Sequence, residues 1–299
     1  MAMSDNARGA LLMNISMASF TLNDTCMKAV TEIVPTFQAA LVRGVMTVAA
    51  LFVVARFMGG LRLRFTGNDA RTISWRCVGE VLSTVTYLIA LKHMPLANLS
   101  AIMQSLPLAV TLGAALFFGE AVGWRRATAI AVGFVGVMII VRPGTEGFDR
   151  WSVLALLSVA SVVLRDLSTR RLSRSVPSVS VAIYAAGSVT LLSAFAVPFT
   201  GGLPHIALPN ALLLVAASVC LIAGYMSSVM AMRVGEIGFV APFRYTSLIW
   251  AIILGWLVFN QLPGPVTLAG ALIVIATGIF TLYRERKTAR ATPMPLRIR

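Results

Sequence analysis

The chain has 299 residues, of which 58% are apolar and 12% are charged. A soluble domain carries roughly 25% charged residues, so the composition excludes a soluble globular protein and predicts a protein of the lipid bilayer. The net charge of +14 would also suit nucleic-acid binding, but its distribution along the chain favours a membrane topology.

Ten apolar stretches are long enough to cross a hydrocarbon core about 30 Å thick, which takes roughly 20 residues of helix. Turn-forming or charged segments separate them, for example Gly59-Gly60 and Arg142-Pro143-Gly144. The sequence therefore predicts an all-α polytopic membrane protein with ten transmembrane helices. The spans lie near residues 9–29, 35–58, 73–92, 97–118, 124–142, 151–172, 177–199, 209–232, 237–259 and 264–283.

The positive charges fall mainly in alternate connections between the spans. Eighteen of the 25 Lys and Arg residues lie on the side of the two termini, and four lie on the other side. Because positively charged loops stay in the cytoplasm, we expect both termini to be cytoplasmic, in a bacterial inner membrane. The basic tail 284–299 is then either a patch for anionic lipid headgroups or a solvated tail, and no nucleic-acid partner is expected.

The chain matches itself when it is shifted by 142 residues. SMASFTLND at 16–24 falls on SVASVVLRD at 158–166, with five of nine residues identical. Later, a shift of 141 aligns LFFGEAVG at 116–123 with LVFNQLPG at 257–264. Shared hydrophobicity does not explain matches at Ser, Asp and Pro, so the period indicates a duplication. We predict two five-helix repeats, at 1–142 and 151–283.

Five spans per repeat is an odd number, so the second repeat enters the membrane from the opposite side to the first. The sequence thus predicts two inverted-topology repeats. Such repeats are related by a pseudo-two-fold axis in the membrane plane, and they place a substrate site near the midplane between the halves. Two halves of like sequence can exchange conformations, which is the physical basis of alternating access.

This organisation resembles a known family. Ten spans in two halves, basic termini, and the segment from Pro107 to Leu116-Phe-Phe-Gly-Glu120 resemble the drug/metabolite transporter superfamily, specifically its EamA-type exporters. The resemblance covers nearly the whole chain and is strongest to the aromatic and broad-range amino-acid exporters. It implies export of amino acids or of other small metabolites or drugs. The second half departs from the pattern at Asn260 and Gln261, so any role of the first half's carboxylate is not duplicated.

Three acidic residues lie within the spans, where an ionisable group costs on the order of 2.5–3.5 kcal/mol and is therefore a functional candidate. Asp24 and Asp166 are equivalent in the repeat, and each precedes a basic residue by four positions, Lys28 and Arg170, with which it could share a helix face. We expect either ion pairs that fix helix ends or a gating or coupling role. Glu80 follows an arginine by four positions, and it could instead bind a substrate ammonium or a proton.

Polar residues at helical spacing mark four faces that we expect to enclose the substrate cavity. They are Glu80, Ser83, Thr84 and Tyr87 on the third span, Ser100 and Gln104 on the fourth, Tyr225 and Ser228 on the eighth, and Tyr245 on the ninth. Pro107 and Pro242 lie beside these residues and free backbone groups in their helices, so we assign them to gating. On the first and sixth spans, Ser16 and Ser158 either line the cavity or let helices approach closely.

Arg244, like Arg43, has no acidic residue four positions away. Its guanidinium could hold a substrate carboxylate by two parallel hydrogen bonds, together with Tyr245 and Gln104. Trp250 and the tyrosines of the third and eighth spans would then receive the substrate side chain. Alternatively, Arg244 extends to the inner headgroups.

Other classes of protein lack support in the sequence. The two His and three Cys residues show no metal-ligand spacing, and no motif of a hydrolase or metalloprotease is present. A channel needs a polar ring or subunit symmetry, whereas an inverted repeat favours a transporter. No Walker A loop is present, so we expect no ATP, no metal and no cofactor, and we do not expect an enzyme.

Overall fold

The computed structural model describes residues 4–58, 64–65, 67–144, 149–173 and 175–291. Within these residues the chain is helical, with short 3-10 turns at Val197–Phe199 and Ala241–Tyr245. The helices are α1 Asp5–Thr31, α2 Thr36–Met58, α3 Gly67–His93, α4 Leu96–Met103, α5 Leu106–Phe118, α6 Trp124–Val141, α7 Trp151–Arg170, α8 Ser178–Ala196, α9 Leu208–Val234, α10 Ile237–Val240, α11 Thr246–Phe259 and α12 Pro265–Ala291.

These helices form ten spans, as the sequence predicts. Eight segments of the described chain are long and apolar enough to cross a membrane. The other two spans are α1 and α3, which carry more charged residues; each has 27 residues and reaches about 40 Å at 1.5 Å per residue. The predicted connections at 59–63 and 145–148, and residues 292–299 of the predicted basic tail, lie outside the described residues.

Two spans are broken at repeat-related places. In the fourth span, α4 ends at Met103 and α5 begins at Leu106, with Pro107 in its first turn. In the ninth, the 3-10 turn that contains Pro242 separates α10 from α11. Proline lacks an N–H and cannot complete the α-helical bonding, so the backbone is irregular at both prolines.

The ends of α5 and α11 show why the Gly-to-Asn departure between the repeats is tolerated. Gly119 caps α5 with φ 66°, and Asn260 caps α11 with φ 53°. Glycine and asparagine are the residues that most readily adopt this left-handed conformation. The two copies therefore keep the same backbone turn with different residues.

Helices of one half pack mainly on helices of the other half. The largest contacts join α1 to α9, α3 to α7, α6 to α12 and α2 to α8. Because α1 is equivalent to α7 and α3 to α9 in the repeat, the α1–α9 and α3–α7 contacts are one contact made twice. The structure thus has the ten membrane spans and the two inverted repeats that the sequence predicts.

Repeat-related hydrogen bonds join these helix pairs. Ser16 Oγ of α1 donates to the carbonyl of Gly224 in α9 at 2.7 Å, and Ser158 Oγ of α7 donates to the carbonyl of Ser83 in α3 at 3.1 Å. Both serines are buried. They therefore hold helices together, which is the packing alternative that the sequence left open for them.

Glycines let the fifth and tenth spans cross closely. A Cβ atom on Gly136 of α6 would lie 2.9 Å from the carbonyl oxygen of Gly270 in α12, and one on Gly270 would lie 2.7 Å from the oxygen of Gly136. Real Cβ atoms essentially never come within 3.0 Å of such an atom. Small residues at this crossing thus allow backbone contact between the halves, as is usual for helices in membranes.

The two faces of the bundle are distinguished by the helix ends that meet there. At the face where α1 begins, which we call the terminal face, the Asn6 side chain accepts from the Glu236 amide at 2.9 Å, and Ser173 Oγ donates to Asp69 at 2.7 Å. At the other face, which we call the opposite face, the end of α1 meets the end of α3 through Lys28. Both faces join the starts or ends of helices that the predicted topology places together.

Candidate functional site

One polar network joins the first three helices. Asn23 Nδ2 donates to Asp24 Oδ1 at 2.9 Å, and the Tyr87 hydroxyl of α3 donates to Asp24 Oδ2 at 2.6 Å. Arg43 Nη1 of α2 donates to Asn23 Oδ1 at 3.2 Å. We call these four residues the Asp24 network. Asn23 lies between the guanidinium and the carboxylate, because its amide accepts from one and donates to the other.

A second polar network joins α3 to α7 in the other half. Glu80, at the midpoint of α3, lies 3.3 Å from Arg76 Nη1 and 3.6 Å from Arg165 Nη1. Arg165 Nε also donates to Asp166 Oδ1 at 2.9 Å. We call these four residues the Glu80 network. It links the two halves by charge, and the predicted pairing of Glu80 with the arginine four positions earlier is confirmed.

Close approach of two helices brings Glu80 next to Arg165. A Cβ atom on Gly79 would lie 2.8 Å from the backbone nitrogen of Arg165 and 3.0 Å from the Ser161 carbonyl oxygen. Any larger residue at 79 would push α3 away from α7. The glycine therefore positions the carboxylate that follows it.

The predicted ion pairs of Asp24 and Asp166 with the basic residues four positions later are wrong. Lys28 instead donates to the carbonyls of Leu91 and Met94, and Arg170 Nη1 pairs with Glu120 Oε1 at 3.1 Å. Other segments of the bundle bring better-placed groups to both basic side chains, so the spacing of four residues along one helix does not decide the pairing.

Tyr225 of α9 faces both networks. Its ring packs edge-on against Phe20 of α1, with centroids 5.3 Å apart, and its hydroxyl interacts electrostatically with Glu80, Arg165 and Arg43. These charges come from three other helices, so the ring faces the interior of the bundle. Tyr225 is 52% exposed, so part of its ring is accessible.

The broken spans contribute mainly packing contacts. Gln104 is buried, and its Nε2 donates to the Tyr245 carbonyl at 3.2 Å and to Ser247 Oγ at 2.9 Å. The Tyr245 side chain is buried and its hydroxyl abuts Gly278. Trp250 Nε1 donates to Asn14 Oδ1 at 2.8 Å. These side chains tie the fourth span to the ninth and the ninth to α1.

Arg244 does not form the predicted cluster with these residues. It lies at the end of the 3-10 turn and is exposed. Gln104 directs its amide to backbone and serine oxygens, and the Tyr245 ring packs on α12. The structure therefore does not bring Arg244, Gln104 and Tyr245 together as donors around one carboxylate.

The remaining predicted residues occupy varied positions. Ser83 is buried, and its hydroxyl donates to the Glu80 carbonyl at 3.0 Å. Thr84 borders a narrow crevice between α2, α3 and α8. Ser100 and Ser228 are half-buried on α4 and α9. Of the predicted third-span residues, only Glu80 and Tyr87 join the polar networks.

The sequence assigns the substrate carboxylate to Arg244 in preference to Arg43, and it places Arg165 only on a serine stripe that either lines the cavity or packs. Yet Arg43 and Arg165 are the arginines that join the helices in the two networks. The signal was present, because both are charges within apolar spans. Arg165 also follows Ser158 and Ser161 at seven and four positions, the spacing of one helix face. Neither feature shows which helix the guanidinium meets.

The comparisons with known proteins agree with this architecture. The EamA-like transporter family matches residues 7–142 and again residues 149–283. An S-adenosylmethionine uptake transporter of Rickettsia conorii is 25% identical over 91% of this chain and 92% of its own. A riboflavin transporter of Rhizobium johnstonii is 28% identical over 72% and 71%, and a pseudopaline exporter of Pseudomonas aeruginosa is 26% identical over 93% and 97%.

A crystal structure at 20% sequence identity has the same fold. It covers 93% of this chain and 98% of its own, with a TM-score of 0.62. The two family matches fall on the two repeats and together span most of the sequence. This chain is therefore a membrane protein that belongs to the EamA-like transporter family.

Proposed function

We propose that this chain exports amino acids, aromatic ones and other neutral ones among them, and similar small metabolites by alternating access. The observation that carries the proposal is the repeat-related pair of hydrogen bonds from Ser16 to Gly224 and from Ser158 to Ser83. Equivalent helices make equivalent contacts in the two halves. Halves that can exchange contacts in this way have two states of similar energy, each open to one side of the membrane.

The two polar networks support a zwitterionic substrate. A zwitterion needs an anion and a cation near the midplane, since each unmet charge in the bilayer is costly. Glu80 supplies a carboxylate that is half-buried between the halves, and Tyr225 offers an aromatic surface beside it. Tyr87 lies on α3, the helix of Glu80, and Ser228 follows Tyr225 by three positions on α9, on the same helix face. We assign these four residues to substrate binding.

Asp24 and Asp166 are proposed to take part in gating or coupling, together with the breaks at Pro107 and Pro242. The two carboxylates are repeat-related and each bonds the residue before it, Asn23 or Arg165. A conformational change at the Asp24 contact in the first half could therefore be matched by an equivalent change at the Asp166 contact in the second half. Binding roles for Ser83, Thr84, Ser100, Gln104, Arg244, Tyr245 and Trp250 have less support, because most of these side chains pack on helices or face outward.

The relatives suggest a second candidate class of substrate. S-adenosylmethionine contains an amino-acid group and a flat adenine ring, and riboflavin contains a flat ring system. An aromatic side chain beside charged groups would suit such molecules as well as it suits an aromatic amino acid. The named relatives also include both uptake and export, so direction has to be measured.

Counterflow into proteoliposomes tests this proposal. Vesicles preloaded with unlabelled phenylalanine should accumulate labelled phenylalanine, with unlabelled S-adenosylmethionine and riboflavin as competitors. Glu80→Gln should lower the rate by at least tenfold, whereas Glu32→Gln, which removes an exposed carboxylate at the end of α1, should leave it unchanged. If labelled S-adenosylmethionine or riboflavin exchanges and labelled phenylalanine does not, the substrates belong to the second class and not to the amino acids. Efflux from preloaded cells measures the direction.

We also propose that the terminal face is cytoplasmic. The support is the excess of positive charge in the connections on that side. Reporter fusions at residues 60–72 and 285–299 should report the cytoplasm, and fusions at 200–208 should report the outside. A C-terminal fusion active only outside would reverse the proposed orientation.

A further inference from the structure

Arg43 is a cation with few partners in the middle of the bundle. It is the eighth residue of α2 and is half-buried. Among the described residues, its guanidinium makes one hydrogen bond, to the neutral amide oxygen of Asn23 at 3.2 Å. Within the described part of the chain, no salt bridge includes it, whereas Arg76 and Arg165 both pair with Glu80. Arginine has five N–H donors, so most of its donors are available to a ligand.

The polar and charged groups around Arg43 come from helices of both halves, α1 and α3 in the first and α9 in the second. Asp24 on α1, Tyr87 and Glu80 on α3, and Tyr225 on α9 interact with it electrostatically. The Asp24 carboxylate is already held by the Asn23 amide and the Tyr87 hydroxyl. Among the described residues, the guanidinium therefore has no carboxylate within salt-bridge distance, and its positive charge is left without a direct anionic partner.

A guanidinium in this position is suited to bind an anion. Charged hydrogen bonds are stronger than neutral ones, and arginine can hold a carboxylate with two parallel bonds. A substrate carboxylate would give Arg43 the contact that Asp24 does not make. An ammonium of the same substrate could then lie toward Glu80, since the Tyr225 hydroxyl interacts with both Arg43 and Glu80.

We propose that Arg43 is the residue that binds the carboxylate of the transported zwitterion, while Glu80 receives its ammonium and the exposed ring of Tyr225 contacts its side chain. This assignment rests on the proposed function and moves the anion site from Arg244 on the ninth span to α2. The substrate class that follows is a compact molecule with a carboxylate, a cationic group and an apolar or flat part.

Three probes that differ in one charged group separate this assignment from a structural role. They are phenylalanine, phenethylamine, which lacks the carboxylate, and 3-phenylpropanoate, which lacks the ammonium. Binding to the purified full-length protein in detergent is measured by thermal stabilisation, so that transport is not required. The variants are Arg43→Gln, Arg43→Lys, Arg244→Gln and, as a control on the same helix, the exposed Arg56→Gln.

We expect Arg43→Gln to weaken binding of phenylalanine and 3-phenylpropanoate by about 10- to 100-fold, the effect of losing a charged hydrogen bond. Binding of phenethylamine should stay within about twofold. Arg43→Lys keeps the charge but loses the two parallel hydrogen bonds. Its affinity for the two acids should therefore lie between those of the wild type and Arg43→Gln. Arg56→Gln should bind all three probes like the wild type.

Two results would overturn the assignment: an equal loss of all three probes in folded Arg43→Gln, or a loss of the two acids in Arg244→Gln instead. A wild type that binds none of the probes would overturn it as well. Binding that depends on Arg43 without counterflow of any amino acid would leave the anion site standing and would refute the proposed transport function. The binding measurement thus tests the anion site, and the counterflow measurement tests the transport function independently.

Discussion

The two faces of the molecule are closed by repeat-related residues that bond in different ways. At the opposite face, Lys28 is 3% exposed, and its Nζ donates to the carbonyls of Leu91 and Met94 at 2.8 Å each. At the terminal face, the equivalent residue under the 142 shift is Arg170, which pairs with Glu120 at 3.1 Å. Both of those side chains are about half exposed. The Lys28 contact is therefore buried, and the Arg170–Glu120 contact is exposed.

The residues around these cations are also equivalent. Lys28 Nζ lies 5.4 Å from the ring centroid of Phe259. The equivalent ring at the terminal face, that of Phe118, lies 5.0 Å from the guanidinium of Arg171, the residue after Arg170. Two residues beyond these rings, the terminal face has Glu120 and the opposite face has Gln261. The Gln261 Oε1 atom is buried without a hydrogen-bond partner. Both faces thus place a cation over an equivalent aromatic ring, through different basic residues, and only the terminal face has a carboxylate at this position.

The difference indicates which end opens more easily. An exposed ion pair contributes about 0–1 kcal/mol and is screened by salt. A buried ammonium that satisfies the last carbonyls of a helix contributes more, because its loss leaves both the charge and the carbonyls unmet. We therefore expect the resting protein to open preferentially at the terminal face.

Lys28→Met should have the largest effect. The change leaves the carbonyls of Leu91 and Met94 without their donor, and each buried acceptor without a partner costs about 1–3 kcal/mol. The free energy of unfolding should fall by about 2–6 kcal/mol in total, measured as a lower melting temperature of the purified protein. Lys92→Met, at the end of α3, is the control and should change it little. Equal melting of Lys28→Met and wild type would contradict the comparison.

A cysteine at Ser228 should reveal the preference between faces. In a variant whose native cysteines are alanine, an impermeant maleimide applied to oriented proteoliposomes should react about tenfold faster from the terminal face, which corresponds to about 1.4 kcal/mol. Adding Lys28→Met should bring the two rates closer, since it weakens closure at the opposite face. Equal rates before that change would mean that the two closures are equally strong.

Glu120→Gln should have the smallest effect. It removes the exposed ion pair with Arg170 and makes the terminal face resemble the opposite one at this position. The loss in unfolding free energy should be at most about 1 kcal/mol. It should disappear near 1 M salt, where the screening length is about 3 Å. A larger loss that persists in salt would show that this pair is more than a surface contact.

Local pattern was sufficient for the fold because the bilayer imposes it residue by residue. Ten apolar stretches predict ten helices, and the matched SMASFTLND and SVASVVLRD segments predict two inverted halves. The same match makes Ser16 and Ser158 equivalent positions of the two halves. The structure then showed that both serines donate to equivalent helices of the other half.

The partners of the charged residues could not be read in this way. A spacing of four residues shows that Asp24 could meet Lys28, but it does not show what else surrounds them. Tyr87 lies 63 positions after Asp24 and bonds it at 2.6 Å. Arg165 lies 85 positions after Glu80 and approaches it to 3.6 Å. Each contact depends on which helices pack together.

By itself, then, the sequence determined the class of protein, the number of spans and the inverted duplication, since hydrophobicity and repeats are properties of residues in order. Only the tertiary structure decided that Arg43 and Arg165 lie at the centre while Arg244 faces outward. The reason is that a charge in a bilayer is stabilised by whichever opposite charge or dipole the packed helices bring within a few ångströms. That choice is made between helices, and the order of residues along one helix does not contain it.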